Sequence, residues 1–480
     1  MRGLNYRIAP AQHDAMRRMI CMQRLSIHRF CVLLKLLALL ALPALGAVTA
    51  VIAQPRPSAT QGAASSNGSD AEKAAPVSRN AQRMYEASRS KLVKVRILPR
   101  GQTNQSSTGS GFFVSRDGLL MTNYHVVSDV ALRPERFRAV YVTTEGKEGE
   151  LELLAIDVLN DLAVARVKAA ESAATAALEF RPTGKPLVQG ERIYSLGNPL
   201  DIGFAVIEGN FNGLVERSFY PRLFFTGALN PGMSGGPALD EQGAVVGVNV
   251  AKRMDGEQAS FLVPAHFAEA LLDRARQAKP MTTTAYDEVT RQLMAHQQAF
   301  TDKFLATPLK AQIHGKYSVP VPEEKFMRCW GADGGRERKY LELSRTDCRM
   351  ETRLFTGDGT TGNVSLRHEA YDGKRLGAWR FASQYSRSFA NESFRSFRNR
   401  HITRPQCNES FVNANGVPMR AVLCMNAYKK FTGLYDAALL ITSVDQSTAG
   451  VQGRIDAQGV SFENGIRLAQ HYLQAYRAAP

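Results

Sequence analysis

From about residue 90 to Val263 the chain alternates short strand-like runs with Gly, Asn or Pro turns, a punctuation that points to an antiparallel, mainly β architecture. Near the end of that region stands GMSGGP, residues 232 to 237. A serine in this frame suits nucleophilic attack on an amide. Gly232 can adopt backbone angles closed to other residues, so its N–H and that of Ser234 can converge on one oxyanion pocket. Gly235 and Gly236 let neighbouring chain and substrate come close. Taken alone, the string reads equally well as a Gly-rich tight turn between strands.

Upstream, GSGFFVSRDGLLMTNYHVV places His125 at the end of a strand-like run, and NDLAVARV places Asp161 at the start of another. A serine hydroxyl is a poor nucleophile at neutral pH. A neutral histidine beside it takes its proton during attack and returns that proton to the leaving amine. Histidine suits the task because its pKa lies near the working pH. A carboxylate on the other ring nitrogen fixes the tautomer and stabilises the imidazolium. Asp161 and Asp157 both stand close enough in sequence to supply it.

The order His125, Asp161, Ser234 is that of chymotrypsin-like double β-barrels, and differs from subtilisin-like and α/β-hydrolase orders. GSGFFVS, TNYHVV, NDLAV, YSLGNP, NPGMSGGP and AVVGVNV, in this succession, resemble the trypsin-like protease domain of the HtrA (high-temperature requirement A) type over roughly residues 90 to 275. The resemblance implies a double six-stranded β-barrel and serine endopeptidase activity on envelope or misfolded polypeptides. It aligns Asp161, rather than Asp157, with the orienting carboxylate. It also places Ala228 at the base of the primary specificity pocket, with Val248, Asn249 and Val250 continuing the wall. With no acid at Ala228, small or medium aliphatic side chains are expected at the cleaved position. HtrA-type domains often form trimers, so a homotrimer is a further expectation. The chemistry needs no metal or organic cofactor.

At 480 residues the chain is longer than one double barrel, so a second domain is expected. The divisions read as 1–53 targeting segment, 54–80 flexible linker, 81–280 protease domain, 281–306 connecting helix and 307–480 C-terminal domain. Of the formal charge of +16, about +6 falls in the first fifty residues and about +8 in the last two hundred. Arg17, Arg18, Arg24 and Arg29 precede an apolar run from about Leu36 to Ala53. This reads as a signal peptide cleaved after Ala50 or Ala53, with an uncleaved inner-membrane anchor as the rival. Both export the barrels to the periplasm or the exterior. QPRPSATQGAASSNGSDAEKAAP has little to bury and reads as a tether.

Beyond the connecting helix, with its apolar stripe of Tyr286, Val289, Leu293, Ala299, Phe300 and Phe304, the resemblance ends. No carboxylate-binding loop of a PDZ domain is found. The last region reads instead as a smaller α+β or mainly β domain closing on the helix GIRLAQHYLQAYR. Of six cysteines, Cys329, Cys348, Cys407 and Cys424 lie there, and Cys21 and Cys31 lie in the leader. Of three pairings, Cys329 with Cys348 and Cys407 with Cys424 are preferred; zinc is the competing reading, without a C-x-x-C pair or companion histidine. RFASQYSRSFANESFRSFRNRH, residues 380 to 401, interleaves Arg with aromatics and reads as a β-hairpin, or as a face for an anionic envelope surface or a glycan. Export argues against nucleic acid. Two other functions stay open: a catalytically silent scaffold, and an envelope-binding protein whose main work lies in the C-terminal domain.

Overall fold

The computed structural model describes residues 78–168, 176–252, 259–333, 340–390 and 401–480. The targeting segment, its cleavage sites, most of the tether, Cys21 and Cys31 lie outside the described residues, as do residues 391–400. The described residues belong to one compact unit, Ala74–Pro480.

A short helix, α1 (Arg79–Ser88), opens the described chain; Ser78 caps it by accepting the Ala81 N–H at 3.1 Å. Six antiparallel strands then close a barrel in the order β1-β2-β3-β6-β5-β4: β1 (Leu92–Pro99), β2 (Ser107–Phe113), β3 (Leu119–Thr122), β4 (Phe137–Thr143), β5 (Glu148–Asp157) and β6 (Leu162–Val167). Period-two alternation sends Val93, Val95 and Ile97 of β1 into the interior with Leu120, Tyr141 and Ala165. Between β3 and β4 runs α2 (Tyr124–Leu132), nearly all of it buried.

A second closed barrel, ordered β10-β11-β12-β9-β8-β7, follows: β7 (Arg192–Gly197), β8 (Ala205–Leu214), β9 (Leu223–Phe225), β10 (Pro237–Leu239), β11 (Val245–Lys252) and β12 (Ser260–Pro264). The mainly β, double six-stranded barrel expected from the sequence is therefore present. Helix α3 (Ala265–Arg276) packs across both barrels, against β5 and β6 of the first and β11 and β12 of the second, burying Ala268, Leu271, Leu272 and Ala275.

The connecting segment is α4 (Tyr286–Ala306). Its apolar stripe serves two cores: Val289 and Leu293 pack in the first barrel's cluster, while Phe300 and Phe304 join the C-terminal cluster. Leu354, Phe431 and Leu434 cross in the other direction, from the C-terminal region into the barrel cluster.

That region is built on a seven-stranded antiparallel sheet, β15-β16-β19-β23-β22-β21-β20. Its strands are β15 (Met327–Asp333), β16 (Glu342–Met350), β19 (Val364–Asp372), β20 (Gln406–Ala414), β21 (Val417–Ala427), β22 (Tyr435–Ser443) and β23 (Ala449–Val460). Three strands, β13 (Lys310–His314), β14 (Tyr317–Val321) and β24 (Arg477–Ala478), form a side sheet, and β17 (Leu354–Phe355) with β18 (Thr360–Thr361) makes a small hairpin. Helix α6 (Phe462–Gln474), capped by Ser461, packs on β22 and β23. Both preferred disulfides are formed, Cys329–Cys348 and Cys407–Cys424, each across directly opposed residues. Each joins an edge strand of the sheet to its neighbour.

The hairpin expected at 380–401 is corrected over its first half. Ala378–Ala390 is a helix, α5, because Phe381, Tyr385 and Phe389 recur every fourth residue. Phe381 is buried and its ring stacks on Tyr385 at 5.1 Å.

Candidate active site

Asp161 sits in the turn between β5 and β6 with φ of 60°, a left-handed conformation that Asp tolerates better than most residues. From there its carboxylate makes two bonds to one residue. Oδ2 lies 2.6 Å from His125 Nδ1, and Oδ1 accepts the His125 backbone N–H at 2.8 Å. The second bond satisfies one of the N–H groups that the first turn of α2 cannot pair internally. The helix end also favours the negative charge it receives. Asn123, fully buried at the N-cap, donates its Nδ2 to the Asp161 carbonyl at 2.7 Å. The turn is thereby fixed at both ends of the same residue.

Asp157 is occupied elsewhere. Its two oxygens accept the backbone N–H and the Nδ2 of Asn160, at 3.0 and 2.9 Å, which shapes the turn that presents Asp161. Burial pushes the His125 imidazole towards its neutral form, but the charge and hydrogen bond of Asp161 outweigh it, so its pKa stands above the ordinary histidine value. Arg222, on the loop before β9, lies near both carboxylates and donates to the Leu159 carbonyl at 3.2 Å.

The turn that carries Ser234 is held from the first barrel. Ser110 donates its backbone N–H to the Ser234 carbonyl at 2.8 Å and its Oγ to the Gly232 carbonyl at 2.7 Å, while Asn198 N–H donates to that Oγ at 2.9 Å. Such closeness requires glycine. A Cβ on Gly235 would stand 2.2 Å from the Ser110 carbonyl oxygen and 2.9 Å from the Asn123 nitrogen; one on Gly232 would meet the Asn198 oxygen at 2.4 Å. A Cβ on Gly109 would stand 2.6 Å from Val126 and 3.1 Å from the Ser234 oxygen, so the serine segment and the histidine helix flank one point. Ser234 Oγ donates to the Val250 carbonyl at 3.4 Å, and no hydrogen bond joins it to His125 among the described residues. Bonds of this kind often tighten only when substrate is bound.

The Pro231 carbonyl accepts the Leu200 N–H at 2.7 Å. Across a trans peptide the Gly232 N–H then points the opposite way. Neither it nor the Ser234 N–H donates to any acceptor among the described residues.

The expected pocket residues separate into two pairs. Ala228 is exposed and Val250 half-buried, whereas Val248 and Asn249 are fully buried. Asn249 braces the turn instead of facing outwards. Its Nδ2 donates to the Leu196 and Met233 carbonyls at 2.9 and 3.2 Å, and its Oδ1 accepts Ser195 Oγ at 2.8 Å. Ser260 pins the segment around Ala228 by donating to the Gly227 carbonyl at 2.6 Å.

Asn123, Ser110, Arg222 and Ser260 were not singled out from the sequence. For Ser110 a signal existed: GSG within GSGFFVS sets a polar side chain between two positions where no Cβ fits. A cavity of about 960 Å³ lies elsewhere, over the C-terminal sheet, bordered by Trp330, Arg349, Asn426, Asp436 and Lys430; none of His125, Asp161 or Ser234 borders it. Among the described residues no cluster of His, Cys, Asp or Glu could hold a metal ion, and no helix is long and apolar enough to cross a membrane.

Residues 109–248 match the model of the trypsin-like peptidase domain. The chain is 32% identical to the serine protease HhoB of Synechocystis over 212 residues, covering 41% of this chain and 48% of that one. It is 33% identical to a DegP-like periplasmic serine endoprotease of Hahella chejuensis over 186 residues, 37% of each chain. A solved serine endoprotease from Yersinia pestis shares 22% identity, covering 42% of this chain and 69% of that one, with a TM-score of 0.36. The match spans less than half the length of either curated relative. The family of the C-terminal region is not identified.

Proposed function

We propose that this chain, which carries a trypsin-like peptidase domain with HtrA- and DegP-type relatives, is an exported serine endopeptidase acting through His125, Asp161 and Ser234. The observation that carries the reading is the double hold of Asp161 on His125, by side chain and backbone, beside the glycine frame of Ser234. His125 takes the Ser234 proton as Oγ attacks the scissile carbonyl. The acyl-enzyme forms as His125 returns that proton to the leaving amine, and water then enters by the reverse roles. The N–H groups of Gly232 and Ser234 receive the oxyanion. Support for a preformed hole comes from the Leu200 bond to the Pro231 carbonyl, which holds that peptide in one orientation. Unfolded or damaged envelope polypeptides are the proposed substrates, cleaved after small or medium aliphatic residues. Such a pocket discriminates by only about 1 to 3 kcal/mol per methylene.

The test treats purified protein with a fluorophosphonate probe and follows casein cleavage in parallel. Wild type is expected to label and cleave, and Ser234→Ala to do neither, with a loss of about a millionfold in turnover. Cleavage that survives in Ser234→Ala removes the assignment. The silent-scaffold alternative predicts neither labelling nor cleavage in wild type.

A further inference from the structure

Resting on the proposed role of His125, we propose that the β17–β18 hairpin of the C-terminal region forms one wall of the substrate cleft, with Phe355 as a specificity-determining residue. The Phe355 ring lies 4.9 Å from the His125 ring, centroid to centroid, at an interplanar angle of 32°. The second half of the chain thus contributes to the surface around the imidazole.

The hairpin is anchored in place. Leu354 is 2% exposed and packs in the cluster that holds Val126, Val127 and Leu132 of α2. Gly357 lies so close to α2 that a Cβ there would meet Leu132 at 2.8 Å. The Asp358 carboxylate stands 3.6 Å from the Arg133 guanidinium and 3.2 Å from His401 Nε2, and Arg133 also pairs with Asp129. Within the hairpin, Thr356 N–H donates to the Gly359 carbonyl at 2.9 Å, and Phe355 faces Thr360 across the strands. Apolar contact on one side and ionic contact at the tip therefore fix the ring relative to the histidine helix.

Phe355 packs against the barrel core on one side, and what it and the imidazole leave exposed faces the cleft. The His125 side chain keeps 24% of its surface exposed, and Phe355 is half-buried. A polypeptide whose scissile carbonyl reaches Ser234 must pass over the imidazole. One of its side chains then meets an aromatic face rather than water. Apolar side chains of matching size gain from that contact, and small or charged ones do not.

The experiment measures kcat/KM of the full-length protein on fluorogenic peptides varied one position at a time on both sides of the cleaved bond. Phe355→Ala is expected to lower kcat/KM for large apolar side chains at one position by about 10- to 200-fold, chiefly through KM, with peptides bearing glycine or alanine there within about twofold of wild type. Phe355→Leu restores most of the loss. Asp358→Asn, which frees the hairpin tip, gives the same position-selective loss, and thermal melts of each variant report folding. A Phe355→Ala profile parallel to wild type at every position overturns the proposal. So does a uniform gain across the series, which would make the hairpin a plug. Fluorophosphonate labelling that vanishes in Ser234→Ala, together with a parallel profile, fails this wall alone; labelling that persists in Ser234→Ala fails the triad.

Discussion

Asp161 carries two loads that one substitution separates. Asn at this position keeps the left-handed turn and the acceptor for the His125 N–H, yet it presents an amide where Nδ1 needs a charged acceptor. Asp161→Asn is expected to leave thermal stability within a few degrees and to lower kcat by about 10⁴-fold at neutral pH. The same carboxylate sets the pH profile. Its charge holds a proton on the free imidazole to higher pH than in an ordinary histidine, so the acid limb of kcat/KM should lie above about 6.5. A wild-type limb at or below that value counts against the arrangement. At this scale the pairing of His125 with Asp161 and the glycine frame around Ser234 were legible because each sits in a short local motif. Ser110 and Arg222 were not, because what they touch lies far along the chain.

Among elements, the two disulfides stand where an antiparallel sheet is weakest. Each edge strand, β15 and β20, has a row of backbone groups open to pairing with another chain, and each is tied to its inner neighbour by one covalent bond. Replacing both cysteines of either pair by serine is expected to cost about 3 kcal/mol in denaturant unfolding, with fluorophosphonate labelling of the native protein unchanged. The pairings could be anticipated because the spacing within each pair is short. Helix α5 could not be read from the interleaving of Arg and aromatics alone: charges between the rings imitate a period of two, while the rings themselves keep a period of four.

In the whole molecule, α4 ties the first barrel to the C-terminal sheet. His296, at its middle, lies between Tyr220 Oη and the Gly362 carbonyl, both at 2.8 Å, and burial pulls its pKa down to about 4. Between that value and the unfolded one near 6.5 only the unfolded chain takes up the proton, so stability is retained above about 6.5 and declines as pH falls towards 4. The part due to His296 should reach on the order of 3 kcal/mol, and His296→Gln should remove that part from denaturant midpoints measured from pH 7 to pH 4, leaving the decline due to the other buried histidines such as His368. The stripe on α4 was visible in the sequence. That its two ends enter different cores was not, since the spacing of apolar residues records a buried face and says nothing of what covers it.

The barrels' described residues contain no cysteine, whereas Cys348 lies two residues before the end of β16, and the hairpin touching His125 begins six residues after it. One covalent link thus stands within a few residues of the segment that faces the imidazole. On the proposed reading, reduction of Cys329–Cys348 would loosen the strand next to that hairpin while leaving the Ser110 hold on the Ser234 turn intact, so it would alter the choice among peptides before it altered hydrolysis itself.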